Sequence, residues 1–147
     1  MKATPKMTPT EFLAWTHRVK NELENWLNVT DIQKIRKTLP QLPEIPDNAT
    51  EAAKTAIRGE RVKLLREQGM KNLLGMIDAA AADHPAETVR LIAAVCGVEA
   101  SEADRHTMSE YLSVLNDTLE DEATLRFFSV LLAWAHTAGV TVQKESN

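Results

Sequence analysis

Histidine, cysteine and clustered carboxylates are the side chains of this sequence that could bind a metal ion or act in catalysis. The histidines are His17, His84, His106 and His136. They stand singly, without an HExxH motif and without a cysteine partner at ligand spacing, so a metal site would have to be assembled from distant parts of the chain. A surface or capping role is the preferred interpretation of each.

Cys96 is the only cysteine, and it follows Ala93, Ala94 and Val95. A nucleophilic thiol needs a nearby base and an exposed, electropositive setting, so this apolar context predicts a buried, inert thiol and no intramolecular disulfide. The acidic run Glu120-Asp121-Glu122 falls at a predicted helix junction, where capping and the helix dipole explain it. The sequence therefore predicts no catalytic, cofactor-binding or metal-binding residue.

The elements that carry these residues are predicted to be helical throughout. There is no sustained apolar–polar alternation and no Asn-Gly or Asp-Gly hairpin turn. A chain of 147 residues with 44% hydrophobic residues can bury a normal core. We expect a single compact all-α domain of about six helices. Its segments are N-terminal helices and a proline-rich connector (1–47), a long helix (48–84), a three-helix unit (85–139) and a flexible tail (140–147).

Two capping boxes predict the helices of the first segment. Thr8-Pro9-Thr10-Glu11 predicts a helix from Pro9 to about Leu27, and Thr30-Asp31-Ile32-Gln33 predicts a short second helix that ends at Pro40. The apolar residues of the two helices are Phe12, Trp15, Val19, Leu23 and Trp26 in the first, then Ile32, Ile35 and Leu39. A stripe of this kind is typical of core packing.

Pro40, Pro43 and Pro46 recur every third residue after the second helix. This spacing aligns prolines along one edge of a polyproline II segment. It can serve either as a docking motif for an SH3-like domain or as a stiff connector. We prefer the connector because no basic anchor flanks the prolines.

The long third helix carries three glycines, and we expect a break near Gly59. Its predicted inward face consists of Leu65, Leu73, Met76, Ile77 and Ala80. Its 54–71 segment is basic, with Arg58, Arg61, Lys63, Arg66 and Lys71 beside Glu60 and Glu67. A solvated face of mixed charge is preferred over a strip for nucleic acid or an acidic partner.

The last third of the chain has clear helix boundaries. Pro85 begins a helix that ends near Cys96 with Gly97 as a left-handed cap. The capping box of Thr107 and Glu110 begins a helix over Met108–Leu119, and Asp121 is the N-cap of a final helix closed by Gly139.

The final helix has two apolar stripes. Leu125, Phe128, Leu132 and Ala135 form a first stripe that we expect in the core. The second stripe contains Phe127, Val130, Leu131, Trp134 and Ala138. We predict that Phe127, Val130, Leu131 and Trp134 bind a partner, either a second copy or an amphipathic client helix. A central, fully buried helix is the alternative.

Charge and the chain's beginning bear on partners and location. Residues 1–71 carry 13 Lys/Arg and 9 Asp/Glu (+4), and residues 72–147 carry 4 and 12 (−8), which sum to the net −4. The acidic half disfavours nucleic acid. No apolar run suits a signal peptide or a membrane span, so we expect a cytoplasmic protein without membrane contact.

The order of motifs in the last third resembles a known family. ETVRLIAAVCGV, an acidic link and HTMSEYLSVLNDTLEDEATLRFFSVLLA are similar to the C-terminal helical part of tail assembly chaperones of long-tailed bacteriophages and prophages. The residues that carry the resemblance are Leu91, Ile92, Gly97, Met108, Ser109, Tyr111, Leu112, Phe127 and Phe128. It covers roughly 55 residues and rests on hydrophobic-pattern motifs.

The resemblance implies a non-enzymatic protein without cofactors that coats the tape-measure protein during tail assembly in the bacterial cytoplasm. Its expected partners are the tape-measure protein or another amphipathic helical protein, and a homo-oligomer is possible. The alternative is a helical adaptor or regulatory protein that uses the basic 54–71 segment on nucleic acid, although nucleic-acid binding is not our expectation.

Overall fold

A computed structural model describes the backbone of residues 1–145 and the side chains of residues 1–137. The described backbone contains six α-helices and no strand, which confirms the all-α prediction. The helices are α1 (Pro9–Thr30), α2 (Ile32–Lys37), α3 (Glu51–Ile77), α4 (Pro85–Val95), α5 (Met108–Leu119) and α6 (Glu122–Glu145). Short 3₁₀ segments lie at Thr4–Lys6 and Ala100–Arg105, and a wider π turn follows α3 at Asp78–Asp83.

The chain divides into two compact units. Unit 1 combines Met1–Glu22 with the chain from Val89 onward, and unit 2 is Leu23–Thr88. Helices α1 and α4 therefore each contribute residues to both units. The segments predicted from the sequence had different boundaries, after residues 47 and 84. That the chain forms a single domain stays a prediction.

The core of unit 1 is built on small side chains of α4 and of the segment that follows it, and on one tyrosine of α5. Its buried members are Ala93, Cys96, Val98, Ala103 and Tyr111, with Val89, Ile92, Val114 and Leu115 packed against them. The Tyr111 hydroxyl donates a hydrogen bond to the Ala103 carbonyl, so this phenol is satisfied inside the core. The 3₁₀ segment that precedes α5 is thereby fixed to it.

The C-terminal end of α4 reverses the chain at Gly97, as predicted. Gly97 has φ 70°, and the amides of Val98 and Gly97 donate to the carbonyls of Ala93 (2.8 Å) and Ala94 (3.1 Å). This pair of bonds is the Schellman motif, in which a residue of positive φ satisfies carbonyls that the helix leaves free. A side chain at this position would strain the backbone.

The N-terminal part of the chain satisfies the remaining carbonyls at this end of α4. The Lys2 amide donates to the Cys96 carbonyl at 3.0 Å, and the Trp15 indole N–H donates to the Val95 carbonyl at 2.9 Å. The Arg18 guanidinium donates to the Val98 carbonyl. Trp15 itself is buried. The first half of α1 is therefore fixed to α4 by hydrogen bonds as well as by packing.

The predicted capping residues of α1, α5 and α6 occupy their expected places. Thr8 and Glu11 exchange side-chain-to-amide bonds at 3.2 and 3.3 Å. Thr107 and Glu110 do the same at 3.2 and 2.7 Å. The Asp121 carboxylate accepts from the Thr124 amide at 3.2 Å. Capping residues can be recognised in a sequence because both partners lie within one turn.

A buried threonine network joins the N-terminus to the α5–α6 junction. The Thr4 amide donates to the Thr118 hydroxyl at 3.4 Å, and the Thr4 and Thr124 hydroxyl oxygens lie 2.9 Å apart. The Thr124 hydroxyl lies 2.6 Å from the Asp121 carboxylate, which is its acceptor. Because these hydroxyls are buried and satisfied, they define how the N-terminal segment lies against α6.

Unit 2 is organised along one side of α3. The buried Asn72 amide group donates to the Thr38 carbonyl at 2.9 Å, and the Arg61 Nε–H donates to the Pro43 carbonyl at 2.8 Å. Gly75 faces Ile35 of α2. Side chains of α3 thus donate hydrogen bonds that hold the proline-containing connector between α2 and α3. Proline has no amide N–H to donate, so its residues in the connector take part in backbone hydrogen bonds only as acceptors.

The structure corrects the predicted second helix. No capping box forms at Thr30, whose hydroxyl donates to the Trp26 carbonyl (2.6 Å), and Asp31 adopts a left-handed conformation with φ 52°. Helix α1 instead continues to Thr30, and α2 covers only Ile32–Lys37. Leu39 lies outside α2 and is 76% exposed. A threonine can bond backward within a helix as readily as forward at a cap, and local spacing does not decide between the two.

Two predicted glycine breaks are also wrong. Helix α3 passes through Gly59 without interruption, and the irregularity lies later, at Asp78–Asp83. Helix α6 passes through Gly139 to Glu145. One glycine costs a helix only about 1 kcal/mol, which neighbouring turns can offset. The predicted flexible tail, 140–147, lies outside the residues whose side chains are described.

Two glycine substitutions of opposite sign test this account. Gly97→Ala should destabilise the protein by about 1–3 kcal/mol, because φ is positive there and the new Cβ would lie 3.0 Å from the Lys2 carbonyl oxygen. Gly69→Ala should stabilise it by up to about 1 kcal/mol, because Gly69 is helical and open space surrounds the added methyl. Urea unfolding followed by circular dichroism measures both. Equal effects would contradict the assigned cap.

Candidate partner-binding site

The histidines are distributed as single side chains. His84 and His106 each lie 3.7 Å from a carboxylate one helical turn away, Glu87 and Glu110 respectively. The His17 ring nitrogen lies 3.2 Å from the Asn21 side-chain amide. Among the described side chains, no three His, Cys, Asp or Glu residues are grouped so that they could hold a metal ion.

Cys96 is fully buried, and its thiol donates to the Tyr111 carbonyl. Burial raises the pKa of the Cys96 thiol from 9.0 to about 11, because the thiolate would lose its hydration. Burial likewise raises the pKa of Tyr111. The thiol is therefore buried, as the sequence predicted, and neutral near pH 7, and its low reactivity stays a prediction.

Helix α6 presents its apolar residues to solvent beyond its second turn. Leu132 is 71% exposed, Trp134 is 68% exposed, and every side chain from Ser129 to Thr137 is exposed. The expectation that the first stripe lies in the core is wrong for Leu125 and Leu132. The described residues of both stripes in this part of α6 therefore share one exposed environment.

Only the beginning of α6 packs into unit 1. The ring of Phe127 meets Phe12 at a centroid distance of 5.1 Å and an angle of 90°, and Phe128 lies 6.2 Å from Trp15. Phe127 is accordingly half-buried, whereas Val130, Leu131 and Trp134 are exposed. The structure thus separates the predicted partner-binding residues into one packed aromatic ring and three uncovered side chains.

An apolar groove of about 510 Å³ opens beside Phe127. Its walls come from the N-terminal segment, the first turns of α1 and the first turns of α6. They include Met7, Pro9, Phe12, Leu13, Ala123 and Phe127. Pro9 and Leu13 were not predicted from the sequence as surface residues, although their i, i+4 spacing is a signal for a shared helix face.

The groove adjoins an acidic pocket of about 420 Å³. The two share Pro5 and Asp121. The ionisable residues of the pocket are Asp117, Glu120, Asp121, Glu122 and Lys6. Four carboxylates against one ammonium leave three net negative charges here. An apolar groove with a charged end can select both the shape and the charge of an occupant.

Helix α3 shows a second disagreement with the sequence analysis. Leu65, Leu73 and Ile77 were assigned to its inward face, but all three are exposed, at 44%, 47% and 52%. The buried side of α3 instead carries Asn72 and the Arg61 hydrogen bond. Periodicity locates an apolar stripe but does not show what covers it.

The basic 54–71 segment is not a uniform positive strip. Arg61 is committed to the Pro43 carbonyl, and Lys54 lies 3.7 Å from Glu51. The exposed Val62 and Leu65 lie among the remaining basic side chains, which do not form an uninterrupted row. This composition is that of a mixed surface.

No protein-family model, curated protein or solved structure matches the chain. The resemblance to tail assembly chaperones therefore stays a prediction. None of the helices in the described part of the chain combines the length and apolar character that a bilayer crossing requires.

Cysteine labelling tests the packing of the core around Cys96. At about pH 8, iodoacetamide should modify the native protein at least about 100-fold more slowly than the urea-unfolded protein, because the buried thiol is both inaccessible and neutral. Equal labelling rates in both states would contradict burial.

The same thiol should make stability depend on pH. Because the pKa of Cys96 is about 11 in the folded protein and 9.0 otherwise, the free energy of unfolding should fall as pH rises through that interval.

Single substitutions test the separation of Phe127 from Trp134. Phe127→Ala should cost about 1–3 kcal/mol of stability, because its half-buried ring packs on Phe12. Trp134→Ser should change stability by less than about 0.5 kcal/mol, since this side chain is 68% exposed. Thermal unfolding measures both. A large loss for Trp134→Ser would place that residue in the core.

Proposed function

We propose that this protein is a non-enzymatic tail assembly chaperone of a long-tailed phage or prophage, which binds the tape-measure protein in the bacterial cytoplasm. The observation that carries the proposal is the uncovered apolar part of α6. Val130, Leu131, Leu132 and Trp134 lie within five consecutive residues and are 46%, 39%, 71% and 68% exposed. A cluster of exposed large apolar side chains on one helix is typical of a surface that another protein covers.

The apolar surface of the client itself creates the need for a chaperone. A long tape-measure helix displays apolar stripes that would aggregate before the tail is built around it. Covering one large aliphatic side chain contributes about 1.5–3 kcal/mol, so a few contacts from α6 can compete with aggregation. The resemblance over roughly 55 residues of the last third supports the same role.

The chemistry of the remaining side chains supports a binding role. The Cys96 thiol is buried and neutral, and the acidic residue Asp121 is used as a helix cap. The basic 54–71 segment, on which the alternative nucleic-acid adaptor depends, is interrupted by exposed apolar residues. We therefore favour a protein partner over nucleic acid.

Co-expression with the tape-measure protein encoded in the same tail gene cluster tests this function. The native chain should increase the soluble fraction of the tape-measure protein and co-purify with it. The double variant Leu131→Ser/Trp134→Ser should lose most of this effect while remaining folded, because both residues are exposed.

Leu39→Ser is the matched control, since Leu39 is 76% exposed in the connector of unit 2 and far from α6 in sequence. It should behave like the native chain. The proposal fails if the tape-measure protein is equally insoluble with and without the native chain, or if the α6 double variant is as effective as the control.

A further inference from the structure

The apolar groove of unit 1 continues into the exposed surface of α6. Ala123 and Phe127 line the groove, and Leu131 and Trp134 follow them on the same face of α6 at i+8 and i+11 from Ala123. The eleven steps from Ala123 to Trp134 rise about 16 Å, or three helical turns. Leu13 of α1, which is 59% exposed, also lines the groove. The combined surface is long enough for three turns of a partner helix.

The backbone around the groove limits the form of its occupant. The walls are the N-terminal segment and the first turns of α1 and α6, and the described backbone has no strand whose edge could pair with an extended peptide. An occupant must therefore satisfy its own backbone while it offers apolar side chains. An amphipathic helix meets both requirements.

The acidic pocket at the end of the groove determines the charge of that helix. Asp121 caps α6 and joins the threonine network, so its carboxylate has a structural role. Asp117 and Glu120 are exposed, and neither carboxylate caps a helix or joins that network. Lys6 is the single cation among the residues that line this pocket. Uncompensated carboxylates beside an apolar groove favour Lys or Arg on the occupant.

We infer that this composite surface, the groove with its acidic pocket, binds an amphipathic helix of a partner protein whose apolar stripe fills the groove and whose Lys or Arg cluster lies over the pocket. The inference rests on the proposed function, because it specifies which part of a client helix the chain recognises. Binding should be salt-sensitive in proportion to the charge at the pocket.

A pair of designed peptides can test the inference directly. Each has about 18 residues, enough for five helical turns, with Leu and Phe on one face. One carries four lysines at one end, and the other carries glutamates at the same positions. Fluorescence anisotropy of the labelled peptides against the full chain measures affinity. The lysine peptide should bind at least about tenfold more tightly, and added salt should reduce the difference.

Two variants separate the groove from the pocket. Leu13→Ser should weaken both peptides, because it removes an exposed apolar wall without opening the core. Asp117→Lys/Glu120→Lys should reverse the preference between the peptides. These residues lie at the C-terminal end of α5, where lysine suits the helix dipole, so the fold should be retained. Glu44→Lys/Asp47→Lys makes the same change of net charge in exposed residues of unit 2 and should leave the preference intact.

Three outcomes would overturn the inference: no binding of either peptide, equal affinity for both, or equal effects of the two charge-reversal variants. A chain that forms dimers in analytical ultracentrifugation, dispersed by Leu13→Ser and unresponsive to peptide, would also overturn it, because a second copy would then fill the groove. Circular dichroism of each variant establishes that lost binding is not lost folding.

The peptide and co-expression experiments can fail independently. If the tape-measure protein is solubilised but the lysine peptide does not bind, the proposed groove is contradicted and the chaperone role is supported. If the lysine peptide binds with the expected charge dependence but the tape-measure protein is not solubilised, the proposed binding surface is supported and the proposed client is wrong.

Discussion

The arrangement of unit 1 depends on how the free carbonyls at the end of α4 are satisfied. A helix leaves its last carbonyls without partners, and buried ones must be bonded. Here Gly97 turns the chain so that Gly97 and Val98 satisfy two of them, while Lys2, Trp15 and Arg18 satisfy the next ones along the chain. The same bonds that complete α4 therefore place the N-terminal segment and α1.

The position of the groove follows from that placement. Once Trp15 is fixed against α4, Phe12 is directed at Phe127, and the Thr4 network holds the N-terminal segment against the first turn of α6. These contacts cover only the beginning of α6. The remainder of its apolar surface has no covering element among the described residues, and the groove lies where packed and uncovered parts of the helix meet. Packing energy and the proposed binding surface thus come from adjacent residues of a single helix.

The charge of the surface has a similarly local origin. Helix N-termini favour carboxylates, which accounts for Asp121 and Glu122 at the start of α6, while Asp117 and Glu120 lie at the C-terminal end of α5. The Asp121 carboxylate stabilises the junction directly, because it caps α6. The carboxylates of Asp117 and Glu120 add negative charge there but neither cap a helix nor join the threonine network. A junction built for capping therefore also provides the electrostatic end of an apolar groove. This combination is the basis for proposing a basic amphipathic helix as its partner.

The sequence by itself determined the all-α class, the start of α5, the caps at Thr8, Thr107 and Asp121, and the reversal at Gly97, because each depends on residues within one or two helical turns. It also indicated that α6 has more apolar surface than one contact needs. Only the tertiary structure decided that Thr30 bonds backward and that Leu65, Leu73 and Leu132 are exposed. It also separated the packed Phe127 from the exposed Trp134 and formed the groove from residues more than 100 positions apart. Periodicity specifies which residues share a face. Whether that face is exposed depends on which distant element covers it, and here hydrogen bonds between distant residues determine where those elements lie.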